Sequence, residues 1–87
     1  MNDKPIKFVP HAYFSMKKRG TTEKEITETI YNSQWKPAKH HDRWEAEREF
    51  PYNAVWNNKF YKCKKVNPVF KVEKEEILVI TVYTFYY

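Results

Sequence analysis

The run Ile77-Leu78-Val79-Ile80-Thr81-Val82-Tyr83-Thr84-Phe85-Tyr86-Tyr87 decides the fold. Every residue in it is aliphatic, β-branched or aromatic. A stretch that is apolar on both faces reads as an interior strand of a sheet. Strict alternation puts Ile77, Val79, Thr81, Tyr83, Phe85 and Tyr87 on one face and Leu78, Ile80 and Val82 on the other. The second set is the better candidate for packing under helices. Thr81 and Tyr83 then look into the open face of the sheet. A phenol there can donate a hydrogen bond to phosphate or stack on a base. The plainer alternative is a cross-strand aromatic pair.

Upstream of this run the chain is punctuated. Asn67-Pro68 reads as a turn before Val69-Phe70-Lys71-Val72. Asn57-Asn58, between Ala54-Val55-Trp56 and Lys59-Phe60-Tyr61, reads as a hairpin turn. Arg43 to Phe50 alternates, with Trp44, Ala46 and Phe50 on one side and Glu45, Glu47 and Glu49 on the other. Helix is the rival there, because Glu, Ala and Arg favour it. Pro51 bounds either choice.

The first third is helical. Lys17-Lys18-Arg19 followed by Gly20, the single glycine, is a helix C-terminal signal. It predicts a helix over about His11–Arg19, with Pro10 in its first turn. Thr22-Glu23-Lys24-Glu25 is a capping box that opens a second helix ending near Asn32 or Ser33. The expected architecture is α+β: an N-terminal two-helix hairpin packed on a three- to four-stranded antiparallel sheet. Residues 1–87 are read as a single domain.

Composition removes several classes. No apolar run approaches the roughly 20 residues of a membrane-spanning helix. Met1 to Pro10 lacks a continuous apolar segment, so a secretory signal is not expected. One cysteine cannot form an internal disulfide, and one glycine cannot build a phosphate-binding P-loop. The mean hydropathy of −0.88 would suit a disordered chain. The 18% aromatic content argues against that, since each ring can bury about 150–250 Å².

The formal net charge is +5, and its placement is more telling. Lys59, Lys62, Lys64, Lys65 and Lys71 fall between Pro51 and Val72 with no acid among them, beside Trp56, Phe60 and Tyr61. Cations interleaved with aromatics suit single-stranded RNA. A solvated lysine face that protects a sheet edge is the structural alternative. Lys17, Lys18 and Arg19 form a second basic cluster.

Three histidines are candidates for chemistry. His11 starts the first helix, where the dipole favours the neutral, proton-accepting ring. From position alone, a capping or packing histidine is the plainer reading and stands ahead of it. His40 and His41 point to opposite faces if extended, and with Asp42 and Cys63 they make no recognised metal-ligand spacing. No metal and no cofactor are expected. Either histidine can still serve RNA binding or acid–base work. Cys63 sits among lysines, the setting of a reactive thiol, but no oriented base is identifiable beside it.

His11-Ala12, Lys18-Arg19-Gly20, Thr22-Glu23-Lys24-Glu25-Ile26 and the closing Val79–Tyr86 stretch together resemble a family of small bacterial proteins, domain of unknown function 4258. That family looks related to toxins of the RelE and BrnT type. The resemblance covers about Phe8 to Tyr87. It implies a RelE-like fold, a metal-independent endoribonuclease toxin, a cytoplasmic location and a cognate antitoxin. His11, Arg19, the Lys62/Lys64 region and the Thr81/Tyr83 strand match the motifs. The Arg-rich catalytic strands of RelE toxins are replaced here by lysines.

Two functional readings follow. In the first, His11 is base or acid, Lys64 and Tyr83 complete the catalytic set, and the products carry a 2′,3′-cyclic phosphate. Arg19, Lys59, Lys62, Lys65, Trp56, Tyr61 and Thr81 hold the RNA. In the second, the same fold is a non-catalytic nucleic-acid-binding or protein-interaction module, with a homodimer or strand addition by an antitoxin as variants. A DNA-binding helix-turn-helix is disfavoured, because Glu23, Glu25 and Glu28 would repel phosphates.

Overall fold

In the computed structural model, which describes residues 4–87, the closing run is an interior strand. The N-terminal stretch considered above therefore lies partly outside the described residues. The elements are β1 (Ile6–Phe8), α1 (Pro10–Arg19), α2 (Glu23–Asn32), β2 (Lys36–Pro37), β3 (Trp44–Glu45), β4 (Arg48–Trp56), β5 (Lys59–Val72) and β6 (Ile77–Tyr86). They form an α+β fold with one six-stranded mixed sheet in the order β1-β6-β5-β3-β2, and β4 pairs with β5 beyond β3.

This sheet is larger than the three to four antiparallel strands expected. β1 precedes the helices and pairs in parallel with β6, Ile6 opposite Ile77 and Phe8 opposite Val79. Three residues of alternation are too few to announce a strand. Nor do the helices dock as one N-terminal hairpin: α1 packs chiefly on β6 and α2 on β5.

The helix boundaries follow local chemistry. Thr22 Oγ1 accepts from the Glu25 backbone N–H, and Glu25 Oε1 accepts from the Thr22 N–H, completing the capping box. Trp35 Nε1 donates to the Ile30 carbonyl at 2.7 Å, satisfying one orphan group near the end of α2. Ala12, Met16, Ile26 and Ile30 bury one face of each helix against Val66, Phe70, Ile77, Val79 and Val82. Trp35 meets Phe70 edge-on at 4.9 Å. Phe70 is fully buried, so its truncation to alanine would cost about 3–5 kcal/mol.

Strict alternation fails in β6. Val69 pairs with Thr81 but Phe70 pairs with Val79, so Ile80 is an extra residue. This bulge shifts the phase of the strand. Val82 therefore joins Ile77 and Val79 in the core instead of opposing them, and Leu78 and Ile80 are only half-buried. Tyr83 and Phe85 still face outward.

Both internal prolines of the strands were misleading as breakers. Asn67-Pro68 is not a turn, because β5 runs through it. The Pro68 carbonyl accepts from the Ala46 N–H, so its missing N–H faces the gap between β3 and β4, where no full ladder exists to be broken. Pro51 does not bound its strand either. Cys63, its partner, gives both its N–H and its carbonyl to Tyr87, leaving the proline nitrogen toward the free edge. The Arg43–Phe50 alternation is extended as read, but interrupted at Ala46–Glu47. Asn57 and Asn58, with φ of 51° and 66°, make the tight hairpin turn. Asn53, also left-handed at φ 48°, lies where the β4–β5 register shifts.

Candidate functional site

A cavity of about 450 Å³ opens where four parts of the chain converge. The first turn of α1 supplies His11. The loop between β2 and β3 supplies Ala38, Lys39, His40 and Arg43. β3 and β5 supply Glu45, Asn67 and Val69, and β6 supplies Ile80, Thr81 and Tyr83. The loop is held in shape by the Ala38 N–H donating to the Arg43 carbonyl at 2.9 Å and by the left-handed Asp42, φ 62°.

His11 is exposed. Its Nε2 lies 3.4 Å from Ser15 Oγ, one helical turn on, and the Ser15 and Thr81 hydroxyls share a 2.9 Å hydrogen bond. This chain ties the imidazole to the β6 bulge and leaves its other nitrogen unused by that contact. Asn67 Nδ2 donates to Glu45 Oε1 at 3.2 Å and to the Ala46 carbonyl at 2.7 Å, fixing the carboxylate on the wall of the cavity. The Arg19 guanidinium sits 5.3 Å from the Tyr83 ring centroid, bringing a further cation to the rim. Three proton-transfer groups (His11, His40 and Glu45), two loop cations and a phenol thus share one cavity. Imidazoles and a carboxylate can exchange protons, and the cations and phenol can meet an anion.

Of the residues singled out from sequence, His11, Thr81 and Tyr83 meet here, with Arg19 beside Tyr83. Lys64 does not. It is 4% exposed; its Nζ donates to the Gly20 carbonyl at 2.6 Å and to Glu25 Oε1 at 2.9 Å. The Tyr52 and Tyr86 rings flank the same ammonium at 5.5 and 5.9 Å. Lys64 is thus committed to the joint between α1, α2 and β5, and no phosphate can reach it without breaking that joint. Trp56 and Tyr61 are drawn to the same place, with ring centroids 5.0 and 5.7 Å from that of Tyr86. Lys59 and Lys62 are exposed on the β5 hairpin, and Lys65 pairs with Glu47 at 3.8 Å. The lysines of residues 51–72 therefore do not form one face.

Arg43, Lys39, Glu45 and Asn67 were missed by sequence reasoning. Arg43 and Lys39 flank the His40-His41 pair in the chain, and that adjacency was the available signal. Glu45 and Asn67 lie 22 positions apart, so only the β3–β5 pairing joins them. His40 lines the cavity, whereas His41 does not. Among the described residues no group of three His, Cys, Asp or Glu could hold a metal ion, and no helix is long and apolar enough to cross a membrane. Comparison of the chain with models of protein families, with curated proteins and with solved structures finds no match.

Proposed function

We propose that this cavity is the site of a metal-independent endoribonuclease, and that the protein is a cytoplasmic toxin of the RelE and BrnT type within the domain of unknown function 4258 family. In this reading the helices and sheet are a strand-rich variant of the RelE-like arrangement, held in check by a cognate antitoxin, with homodimerisation as a further option. The observation that carries the reading is the convergence of His11, Thr81 and Tyr83 with His40, Lys39 and Arg43 in one cavity.

One histidine takes the proton of the RNA 2′-hydroxyl. The 2′-oxygen then bonds to phosphorus as the bond from phosphorus to the 5′-oxygen breaks. The other histidine gives its proton to that leaving oxygen. Arg43 and Lys39 stabilise the phosphorane as charge develops, and Tyr83 donates a hydrogen bond to a non-bridging oxygen. Arg43 offers the bidentate fork that a lysine lacks, so it takes the part first assigned to Lys64. The products are a 2′,3′-cyclic phosphate and a 5′-hydroxyl.

The test is cleavage of end-labelled RNA by the purified protein in the presence of a chelator. The expected result is cyclic-phosphate products from wild type, and retained binding without cleavage from His11→Ala. Induced expression of wild type should arrest growth, and the variant should relieve it. One observation favours a second reading, a non-catalytic nucleic-acid-binding module: the contact that orients His11 is long, at 3.4 Å. Binding without cleavage by wild type would select that reading.

A further inference from the structure

Beyond the cavity, β6 carries a row of outward rings. Tyr83, Phe85 and Tyr87 are 42%, 50% and 51% exposed, in contrast to the intervening Thr84 and Tyr86, which face the helices. Tyr83 lies both in the cavity wall and at the start of this row. Each of its first two rings has a cation above it: Arg19 at 5.3 Å from the Tyr83 centroid and Lys65 at 5.5 Å from that of Phe85. Tyr87 is pinned by backbone hydrogen bonds of 2.7 and 3.0 Å to Cys63. Its phenol is pushed up to about 12, first by the neighbouring Glu49 carboxylate.

We infer that the Tyr83-Phe85-Tyr87 row is a stacking track for single-stranded RNA leaving the cavity. The inference rests on the proposed ribonuclease reading for its direction but on the exposed rings for its substance. Alternate residues of a strand stand about 6.7 Å apart. That is about twice the 3.4 Å rise per nucleotide of a stacked strand, so each ring can take one splayed base. Stacking needs a π-face of any base and a cation near the phosphate that follows, and both are present. The net charge of +5 favours a polyanion. Glu47 and Glu49 oppose it on the β4 side. Glu47, in only a loose 3.8 Å contact with Lys65, and Glu49 keep their negative charge and repel phosphate, which holds the strand on β6. This places the RNA away from the Trp56–Tyr61 hairpin favoured by sequence alone.

The experiment is fluorescence anisotropy with a fluorescein-labelled 2′-O-methyl oligonucleotide of about eight residues, which cannot be cut because its 2′-oxygen is blocked. Phe85→Ala and Tyr87→Ala should each weaken binding about tenfold, and Phe85→Leu should weaken it as much while keeping the apolar surface. Phe85→Trp should retain affinity. Lys59→Ala, on the hairpin, should change it less than any of these. Matching urea midpoints show that the variants remain folded. Unchanged affinity in both alanine variants overturns the inference, even if a dinucleotide substrate is still cleaved at the cavity. So does failure of wild type to bind the oligonucleotide while the row instead mediates self-association in sedimentation. Tight, row-dependent binding with no cleavage upholds the track and removes the ribonuclease.

Discussion

Lys64 and Lys65 are consecutive in the chain and stand on opposite faces of one sheet. Lys64 is sealed between Glu25, the Gly20 carbonyl and the Tyr52 and Tyr86 rings. Lys65 lies over Phe85, about one-third exposed, with a loose 3.8 Å contact to Glu47. The same pairing of cation and aromatic ring is thus a structural joint on one face and an accessible surface on the other. What separates them is satisfaction. On the closed face the donors and rings are consumed by the protein itself. In the cavity and along β6, rings and cations remain exposed to a ligand.

The comparison can be broken in several places. Arg43→Ala removes the guanidinium that lines the cavity and should lower cleavage about 10²–10³-fold, the usual effect of losing a donor to a developing oxyanion. Its urea midpoint should stay at the wild-type value. Lys64→Ala should do the reverse. It leaves Glu25 without its cation in a half-buried site, and the loss should be about 3 kcal/mol by urea denaturation. If Lys64→Ala lost cleavage at unchanged stability, the two faces would have been assigned the wrong way round.

Gly20→Ala probes the same joint from the helix side. Gly20 sits at φ 75°, and an added Cβ would come within 2.6 Å of Trp56 and 2.8 Å of the Tyr86 hydroxyl. Both ring and backbone must shift, so a cost of about 2 kcal/mol is expected in the same assay. The smallest effect is alkaline. Burial first, then Tyr52 and Glu25, push the Tyr86 phenol up to about 12 from its ordinary 10.0. The folded state therefore keeps this proton longer than the unfolded chain. That contribution is intact below pH 10 and is lost as pH rises through about 12. Urea midpoints across this window should fall for wild type, and Tyr86→Phe should flatten the part due to this phenol. An identical slope in Tyr86→Phe would show that the phenol takes no part in the joint.

The legibility of the chain divides along the same line. Thr22–Glu25 and Lys17–Gly20 announce their helix ends because caps are satisfied within a few residues, and the bonds they predict are present. Asn57-Asn58 is equally local. Pro51 and Pro68 misled because a proline is judged by which neighbour its missing N–H would have met, and that is set by pairing far along the chain. The Ile80 bulge is likewise a property of two strands, invisible in one of them. Of the residues lining the cavity, His11, Thr81 and Tyr83 were singled out from helix and strand position. Arg43 and Lys39 were not, since the loop between β2 and β3 brings them to the cavity, and Glu45 arrives only through the pairing of β3 with β5. Lys64 looked accessible because a sequence does not state which lysine finds a carboxylate 39 positions away.

The most direct test is cleavage of one labelled RNA, with chelator present, by His11→Ala and Lys64→Ala side by side, each corrected for its folded fraction. The account predicts a folded but inactive His11→Ala and a destabilised Lys64→Ala that cuts at the wild-type rate per folded molecule. An active His11→Ala together with an inactive, fully folded Lys64→Ala would contradict it.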